Sequence, residues 1–295
     1  MEKEPYKMKS NFAACVILYH PKKEDIANLF TYCSKVEKVY IFDNTEGKSN
    51  ENLFIGMENV SYFWDGENKG LSIRLNEACQ RAIADKFDYL LTMDQDSSFI
   101  EENIDRYFKD ILNFKGKEKV AVYGLEYSKN DINDTTENYI EVDHLITSAS
   151  VMNLKLYNEI EGFDENLFID GVDIDYCYSA LTKGFKNIKF ARNFFQHSLG
   201  VRSRRGSIFT LYLIKKNVSV HSSLRVYYMY RNMLYIKNKY ENLIPDIIKK
   251  FVKNQKHQVN KNIKYSNEFF TILKYKRKAV DDFNNKKMGK LHNLI

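Results

Sequence analysis

The sequence predicts an α/β fold, a mostly parallel sheet with helices on both faces, and three observations lead there. Apolar runs of five to nine residues alternate with stretches of helical period, in units of about thirty residues. The first run is continuously apolar, as a strand buried on both faces should be. Two of the runs end on Asp or Asn, at the carboxyl ends where such sheets bind ligands. The composition of the 295 residues, 44% hydrophobic and 28% charged, is that of a folded globular protein, with room for one large domain or a domain plus an extension.

The elements follow in order. FAACVILYH (12–20) reads as the first strand, and EDIANLFTYCSK (24–35) as a helix, with apolar residues at 26, 29, 30 and 33. KVEKVYIFDN (35–44) is a second strand ending on Asp43 and Asn44, and VSYFW (60–64) is a third. A helix over about 70–85 leads to the fourth strand, FDYLLTMD, which ends on Asp94. A helix near 101–113 and the strand KVAVYGLEY (119–127) come next. Beyond them lie a helix with apolar residues at 174, 177, 178 and 181 and a short strand, IKFAR (188–192). VRSRRGS (201–207) reads as a flexible loop.

Several classes are excluded by what the chain lacks. With 12 Gly and 3 Pro it is neither fibrous nor of low complexity, and no internal repeat is visible. Cys15, Cys33, Cys79 and Cys177 show no CxxC spacing and fit buried free thiols of a reducing compartment rather than zinc ligands. Only eight apolar residues, Phe12 to Tyr19, follow the opening decapeptide, too few for a signal peptide, and no run of eighteen apolar residues occurs. The expected location is the cytoplasm, free or peripheral at the inner face of the membrane.

FDYLLTMDQDSS (87–98) is the most informative stretch, because Asp94 and Asp96 repel each other at the end of a buried strand unless a cation lies between them. Four readings stand open. D-x-D-x-S resembles the start of a calcium loop, but Phe99 occupies the position where the sharp turn needs Gly. It also resembles haloacid-dehalogenase phosphatases with Asp94 as nucleophile, although there the motif ends the first strand, and here three strands precede it. It suits a plain turn, which favours Asp and Ser. It suits, lastly, a metal–diphosphate clamp.

The rest of the chain favours the last of these. VILYHP, IFDNT, ENKGLSIRLNEA, LLTMDQDS, ITSAS…GFDENLFIDGVDIDYC, HSLG and HSSLRVYYMYRN, in that order from Phe12 to Asn232, resemble the inverting family 2 glycosyltransferases of GT-A fold, and their rhamnosyltransferase-like branch in particular. The resemblance implies a Rossmann-like nucleotide-diphospho-sugar transferase domain over 1–215 and a helical, basic extension over 216–295. It implies a nucleotide-sugar donor over the strand ends and Mg2+ or Mn2+ bridging the D-x-D carboxylates and the diphosphate, with Asp96 on the metal and Asp94 on the metal or the ribose. His197, in FFQHSLG, matches the histidine that completes the metal site in many relatives. Asp173, among the cluster Asp170, Asp173 and Asp175, matches the base that takes the acceptor's proton; an N-cap role is the plainer account of this cluster. Ser179 stands where the family often has Arg, and Ala149 where Gly is common.

Each remaining candidate has a plain counterpart. Asp43, beside Asn44, can accept from a base N–H or a ribose hydroxyl, or simply close the strand with an Asx-turn. Asn68, Gly70 and Asn76 surround a helix start, and Gly70 lets backbone approach a nucleotide closely. Arg202 and its two neighbouring arginines can fold over a diphosphate or remain a solvated loop. Arg225 and Arg231 interleave with Tyr227, Tyr228 and Tyr230, either walling a substrate pocket or packing in a core.

From Glu241 to Ile295 there are 13 Lys/Arg and 5 Asp/Glu, a net of +8, which leaves −2 for the first 240 residues of a chain of +6. LIPDIIKKFVKN (243–254) sets Leu243, Ile244, Ile247, Ile248 and Phe251 at helical spacing beside lysines. Such a tail fits an anionic membrane surface or a solvated helix face. The expected reaction is inverting transfer of a sugar, with dTDP-L-rhamnose the leading donor and UDP-hexoses open. The expected acceptor is a polyprenyl-linked or surface polysaccharide; no nucleic acid partner is expected, and a homo-oligomer stays open. The rivals are the Asp94 phosphatase and a non-catalytic binder of anionic polymers, which leaves the Asp170–Asp175 cluster unexplained.

Overall fold

The computed structural model describes residues 11–126, 138–197, 203–207, 213 and 215–292. Its centre is an eight-stranded sheet built on β1 (Phe12–Leu18), β2 (Lys38–Asp43), β3 (Val60–Trp64), β4 (Tyr89–Asp94), β6 (Val120–Glu126), β7 (Tyr139–Glu141), β8 (Ser150–Asn153) and β9 (Lys186–Phe194). The order is β3-β2-β1-β4-β8-β6-β9-β7. β3, β2, β1 and β4 run parallel, as does β6 beside β9. β8 runs antiparallel between β4 and β6, and β7 antiparallel at the edge beside β9.

The alternation of side chains along β1 explains why helices cover both faces. Ala13 and Cys15 point to one apolar layer with Leu75, Ala78, Cys79 and Ala82 of α2 (Gly70–Ala84). Ala14, Val16 and Leu18 point to the other, with Leu29 of α1 (Lys23–Leu29) and Ile104, Tyr107, Phe108 and Ile111 of α3 (Glu101–Leu112). A strand sandwiched in this way has no polar face to spare, hence its unbroken apolar run. All four cysteines are buried free thiols.

Most elements match the sequence periods to within two residues, and the differences have local causes. The helix expected over 24–35 ends at Leu29, and a separate 3-10 turn spans Cys33–Lys35, because the chain must turn under β1 to reach β2. The short strand expected at 188–192 is nine residues long, lengthened by pairing with both β6 and β7. The loop expected over 201–207 is in part β11 (Ser203–Gly206), paired antiparallel with β12 (Lys215–Val218). Arg202 lies outside the described residues. The expected boundary at 215/216 falls inside β12.

α4 (Tyr157–Ile160) and α5 (Val172–Thr182) follow β8, and three long helices close the chain: α6 (Ser223–Tyr240), α7 (Pro245–Tyr265) and α8 (Phe269–Asn284). Met233, Ile236 and Tyr240 of α6 and Ile248 and Phe251 of α7 share one apolar cluster with α2 and α5. No helix among the described residues is long and apolar enough to cross a membrane.

Candidate active site

The site begins where β4 stops. Gln95, between the two aspartates, turns away from them: its Oε1 accepts the Tyr19 N–H at 2.8 Å, and its carbonyl accepts from Asn28 Nδ2 at 3.0 Å. With Gln95 tied to β1 and α1, Asp94 and Asp96 fall on the same side. A two-residue strand, β5 (Ser97–Ser98), then pairs antiparallel with β10 (Gln196–His197), register His197 to Ser97. That ladder carries His197 across a hundred residues of sequence to the acidic turn. Its Nδ1 stands 2.6 Å from Ser97 Oγ and 3.4 Å from Asp96 Oδ1. One ligand atom each from Asp94, Asp96 and His197 lie within 4.8 Å of one another. Two carboxylates and an imidazole form a donor set suited to Mg2+ or Mn2+.

The electrostatics agree with that geometry. Asp94 is pushed up to about 6, first by desolvation, while His197 opposes and the charges of Asp96 and Asp173 add to the rise. Thr147 Oγ1 reaches Asp94 Oδ1 at 3.5 Å, and the Asp94 N–H lies 3.4 Å from Ser148 Oγ, both long contacts. A cluster so short of positive charge is a place for a cation.

Asp173 enters from the first turn of α5, behind Gly171 in a left-handed cap. Its Oδ1 accepts the Ile174 N–H at 2.9 Å, while burial raises its pKa against backbone donors and the nearby His144. Beside it Asp170 has φ +63 and takes both Nε and Nη2 of Arg225 on Oδ1, each at 3.1 Å. Its other oxygen is buried with no hydrogen-bond partner. Asn232 Nδ2 donates to the carbonyls of Ile169 and Asp170, fixing this turn to α6.

Several residues expected to touch substrate are occupied otherwise. Asp43 is fully buried: Oδ1 accepts the Thr45 N–H in an Asx-turn, and Oδ2 accepts from Asn50 Nδ2 and the Tyr62 hydroxyl. Asn44 Nδ2 donates to the Gly70 carbonyl, and its Oδ1 accepts from the Lys69 N–H and Arg74 Nε, stitching β2 to the start of α2. Asn68 Oδ1 caps the Gly70 N–H at 3.0 Å. Gly70 has φ +80, and a Cβ there would meet the Phe168 carbonyl at 2.5 Å, so protein rather than nucleotide demands this glycine. Asn76 is spent on Phe163, Glu165 and Tyr157.

Asp175 points the opposite way from Asp173 and ion-pairs with Lys239 through both oxygens at 3.0 Å. Arg231 is buried between the rings of Tyr227 and Tyr228, its guanidinium donating to the carbonyls of Gly289 and Lys287. In this geometry Asp43, Asn44, Asn76, Asp175 and Arg231 each serve as structural ties between elements. Sequence reasoning passed over Ser97, Thr147 and Ser148, three hydroxyls around the acidic turn whose only signal was the S–S pair after the second aspartate and the T–S before a strand.

Ala149 stands in the left-handed region at φ +56, fully buried, which is why glycine suits this position. Ser179 is buried and donates to the Ile160 carbonyl at 3.0 Å.

The chain is similar to dTDP-rhamnosyl transferase RfbF of Shigella flexneri, 23% identical over 253 residues that cover 79% of this chain and 81% of the relative. No family model matches. Among solved structures it is similar to S. aureus TarS 1–349 in complex with UDP-GlcNAc, with TM-score 0.61 and 15% identity over 92% of this chain and 80% of that one. It is also similar to GalNAc-T7 with UDP, GalNAc and Mn2+, with TM-score 0.53 and 10% identity over 65% of this chain; the match spans only 44% of that longer protein. The fold is the GT-A fold, and the chain's resemblance is to its rhamnosyltransferase-like members.

Proposed function

We propose that this protein is an inverting, metal-assisted glycosyltransferase that moves a sugar from a nucleoside diphosphate to an acceptor hydroxyl. One observation carries the reading: the Asp94–Asp96–His197 cluster at the strand ends sits within electrostatic reach of Asp173, at the mouth of a second element. A bound Mg2+ or Mn2+ would offset charge on the leaving diphosphate. Asp94, Asp96 and His197 would hold it, and the repulsion between the two carboxylates is the reason they need it. Asp173 accepts the proton of the attacking hydroxyl; its burial raises its basicity, and the amides at the start of α5 hold the carboxylate in one orientation.

The similarity to a dTDP-rhamnosyl transferase supports dTDP-L-rhamnose as the donor. A UDP-sugar is the alternative, since structures of this fold are known with UDP-GlcNAc. The acceptor we favour is a polyprenyl-linked or surface polysaccharide. The lysines Lys249, Lys250, Lys253 and Lys256, all exposed on α7, support contact with an anionic membrane.

The test is a panel of dTDP- and UDP-sugars with Mn2+, read as release of nucleoside diphosphate, with the Asp173→Asn variant beside the wild type. The amide keeps the shape of Asp173 and cannot take a proton, so the variant should bind donor normally and turn over about 10²–10⁴-fold slower. NMR of the product should show an anomeric configuration opposite to the donor's. Retention, full activity of Asp173→Asn, or release of inorganic phosphate from aryl phosphates in place of transfer would overturn the reading.

A further inference from the structure

The segment that follows α8 does not trail away from the molecule. The Lys287 N–H bonds to the Asp282 carbonyl at 2.8 Å, the Gly289 N–H to the Asn166 carbonyl at 2.9 Å, and the Leu291 N–H to the Tyr228 hydroxyl at 2.9 Å. Beneath it Arg231, 1% exposed, donates from Nη2 to the Gly289 carbonyl at 2.8 Å. Burying a guanidinium is costly unless its donors are met. Here the rings of Tyr227 and Tyr228 flank it, and carbonyls of this strap supply acceptors. The strap is therefore anchored from its centre, with Gly289 in the left-handed conformation, φ +73, that turns it across the surface.

The anchoring presents one side chain to the strand ends. Lys290 Nζ donates to the Asn68 carbonyl at 3.1 Å, in the loop that opens α2, and its ammonium lies 5.9 Å from the centre of the Phe168 ring. It stands 3.6 Å from Glu46 Oε1, just past the end of β2, and Glu46 Oε2 is 3.9 Å from His20 Nε2, just past the end of β1. The His20 N–H in turn bonds to Thr45 Oγ1, and the adjoining Tyr19 N–H to Gln95, the residue between Asp94 and Asp96. Lys290 thus begins a chain of contacts that runs from the strap over the ends of β2 and β1 to the acidic turn. Its pairing with Glu46 is long and leaves both side chains exposed, at 41% and 44%, so it is a weak pair that water or a stronger anion displaces.

We propose that the strap 286–291 is a fixed wall of the donor pocket and that Lys290 is a donor-binding residue, exchanging Glu46 for phosphate oxygens of the nucleoside diphosphate. Lysine serves phosphate as a mobile point charge, and a diphosphate offers it more charge than one carboxylate does. The proposal rests on the glycosyltransferase reading and deepens it. It gives the segment beyond α8 a part in the same site and makes Arg231 its positioning residue.

The experiment titrates the full chain with dTDP and UDP in the presence of Mn2+, using wild type, Lys290→Met and Lys290→Arg, and records the melting temperature of each without nucleotide. Methionine keeps an unbranched apolar stem and removes the charge. Lys290→Met should bind nucleoside diphosphate about tenfold more weakly, the loss of one charge-assisted contact, while Lys290→Arg stays within about threefold of wild type. Both should melt with the wild type. Affinity unchanged in Lys290→Met overturns the proposal while leaving the glycosyltransferase reading intact. So does an equal loss in both variants with a lower melting temperature, which would make Lys290 a latch. A wild type that binds neither nucleotide and transfers sugar from no nucleotide-sugar overturns both.

Discussion

Replacing Lys239 with methionine isolates the tie that holds α6 to the body of the protein. Lys239 Nζ reaches both oxygens of Asp175 at 3.0 Å and Asp164 Oδ2 at 2.8 Å. The Asp175 side chain is 2% exposed, and among the described residues Lys239 is the cation that offsets its charge, while the Tyr240 hydroxyl donates to its backbone carbonyl. Breaking a buried pair by removing one partner costs about 3–5 kcal/mol, because the other charge stays buried and alone. Asp164 adds little to this, since it keeps Tyr235 and Asn166. With an unfolding entropy of roughly 2 cal/mol/K per residue, a chain of 295 residues should melt about 5–8 °C lower.

The pH dependence gives the loss its signature. Burial already holds Asp175 above the ordinary carboxylate value, and Lys239 is the charge that opposes it. In Lys239→Met the folded-state pKa rises further, while the unfolded value stays near 4. Above the raised pKa the folded variant must keep an uncompensated carboxylate, and the deficit is full. As pH falls through that pKa towards 4, Asp175 takes up a proton and the gap to wild type narrows. Melting by circular dichroism from pH 8 to pH 5 measures both effects. The double variant Lys239→Met/Asp175→Asn should regain more than half of the loss. A fall under about 2 °C, a gap independent of pH, or no rescue by Asp175→Asn would refute the reasoning.

Asp96→Asn removes a charged ligand from the cluster, so nucleotide binding should lose its response to Mn2+; wild-type affinity indifferent to EDTA would sink the metal assignment. Gly70→Ala must place a methyl 2.5 Å from the Phe168 carbonyl at φ +80, and a loss of about 1–3 kcal/mol in denaturant melts is expected. Changing Lys249, Lys250, Lys253 and Lys256 together to glutamine should release the protein from anionic vesicles, at about 1 kcal/mol per cation, with neutral vesicles as the control. Substitution is the cleaner test than truncation after Lys239, because α7 places Ile248 and Phe251 in the main core.

How much of this was legible in the sequence depends on whether the deciding contact was local. The strands β1 to β4 were, since burial on both faces leaves an unbroken apolar run wherever it occurs. Asp43 was not decidable: a nucleotide and an Asx-turn both ask for a carboxylate at a strand end. Its actual partners, Thr45, Asn50 and Tyr62, come from three positions with no common spacing. His197 reaches the site through a two-residue ladder, too short to leave any alternation, and only the likeness to a family pointed to it. The strap was invisible for the same reason, because Lys290 meets Asn68 across more than two hundred residues.

The cluster of Asp170, Asp173 and Asp175 shows where the helical period had more to give than was taken from it. Residues two apart on a helix lie about 200° from each other, so Asp173 and Asp175 on α5 cannot both face one cleft. The apolar positions 174, 177, 178 and 181 mark one side of the helix, and Asp173 and Asp175 flank it on opposite edges, each about 100° from its centre; the structure buries Asp175 and leaves Asp173 partly exposed. A carboxylate on the packed side needs a cation from a neighbouring element. The sequence offers one in the lysines at the end of the α6 pattern, where Lys239 stands. Asp173, near His144 and with no Lys or Arg ion pair among the described residues, lies close enough to the Asp94 cluster that its charge raises Asp94 rather than relieving it. The same motif therefore supplies an anchor for α6 on one face and, in the proposed mechanism, a base on the other. A substitution at Asp175 should be read in melting temperature, and one at Asp173 in turnover.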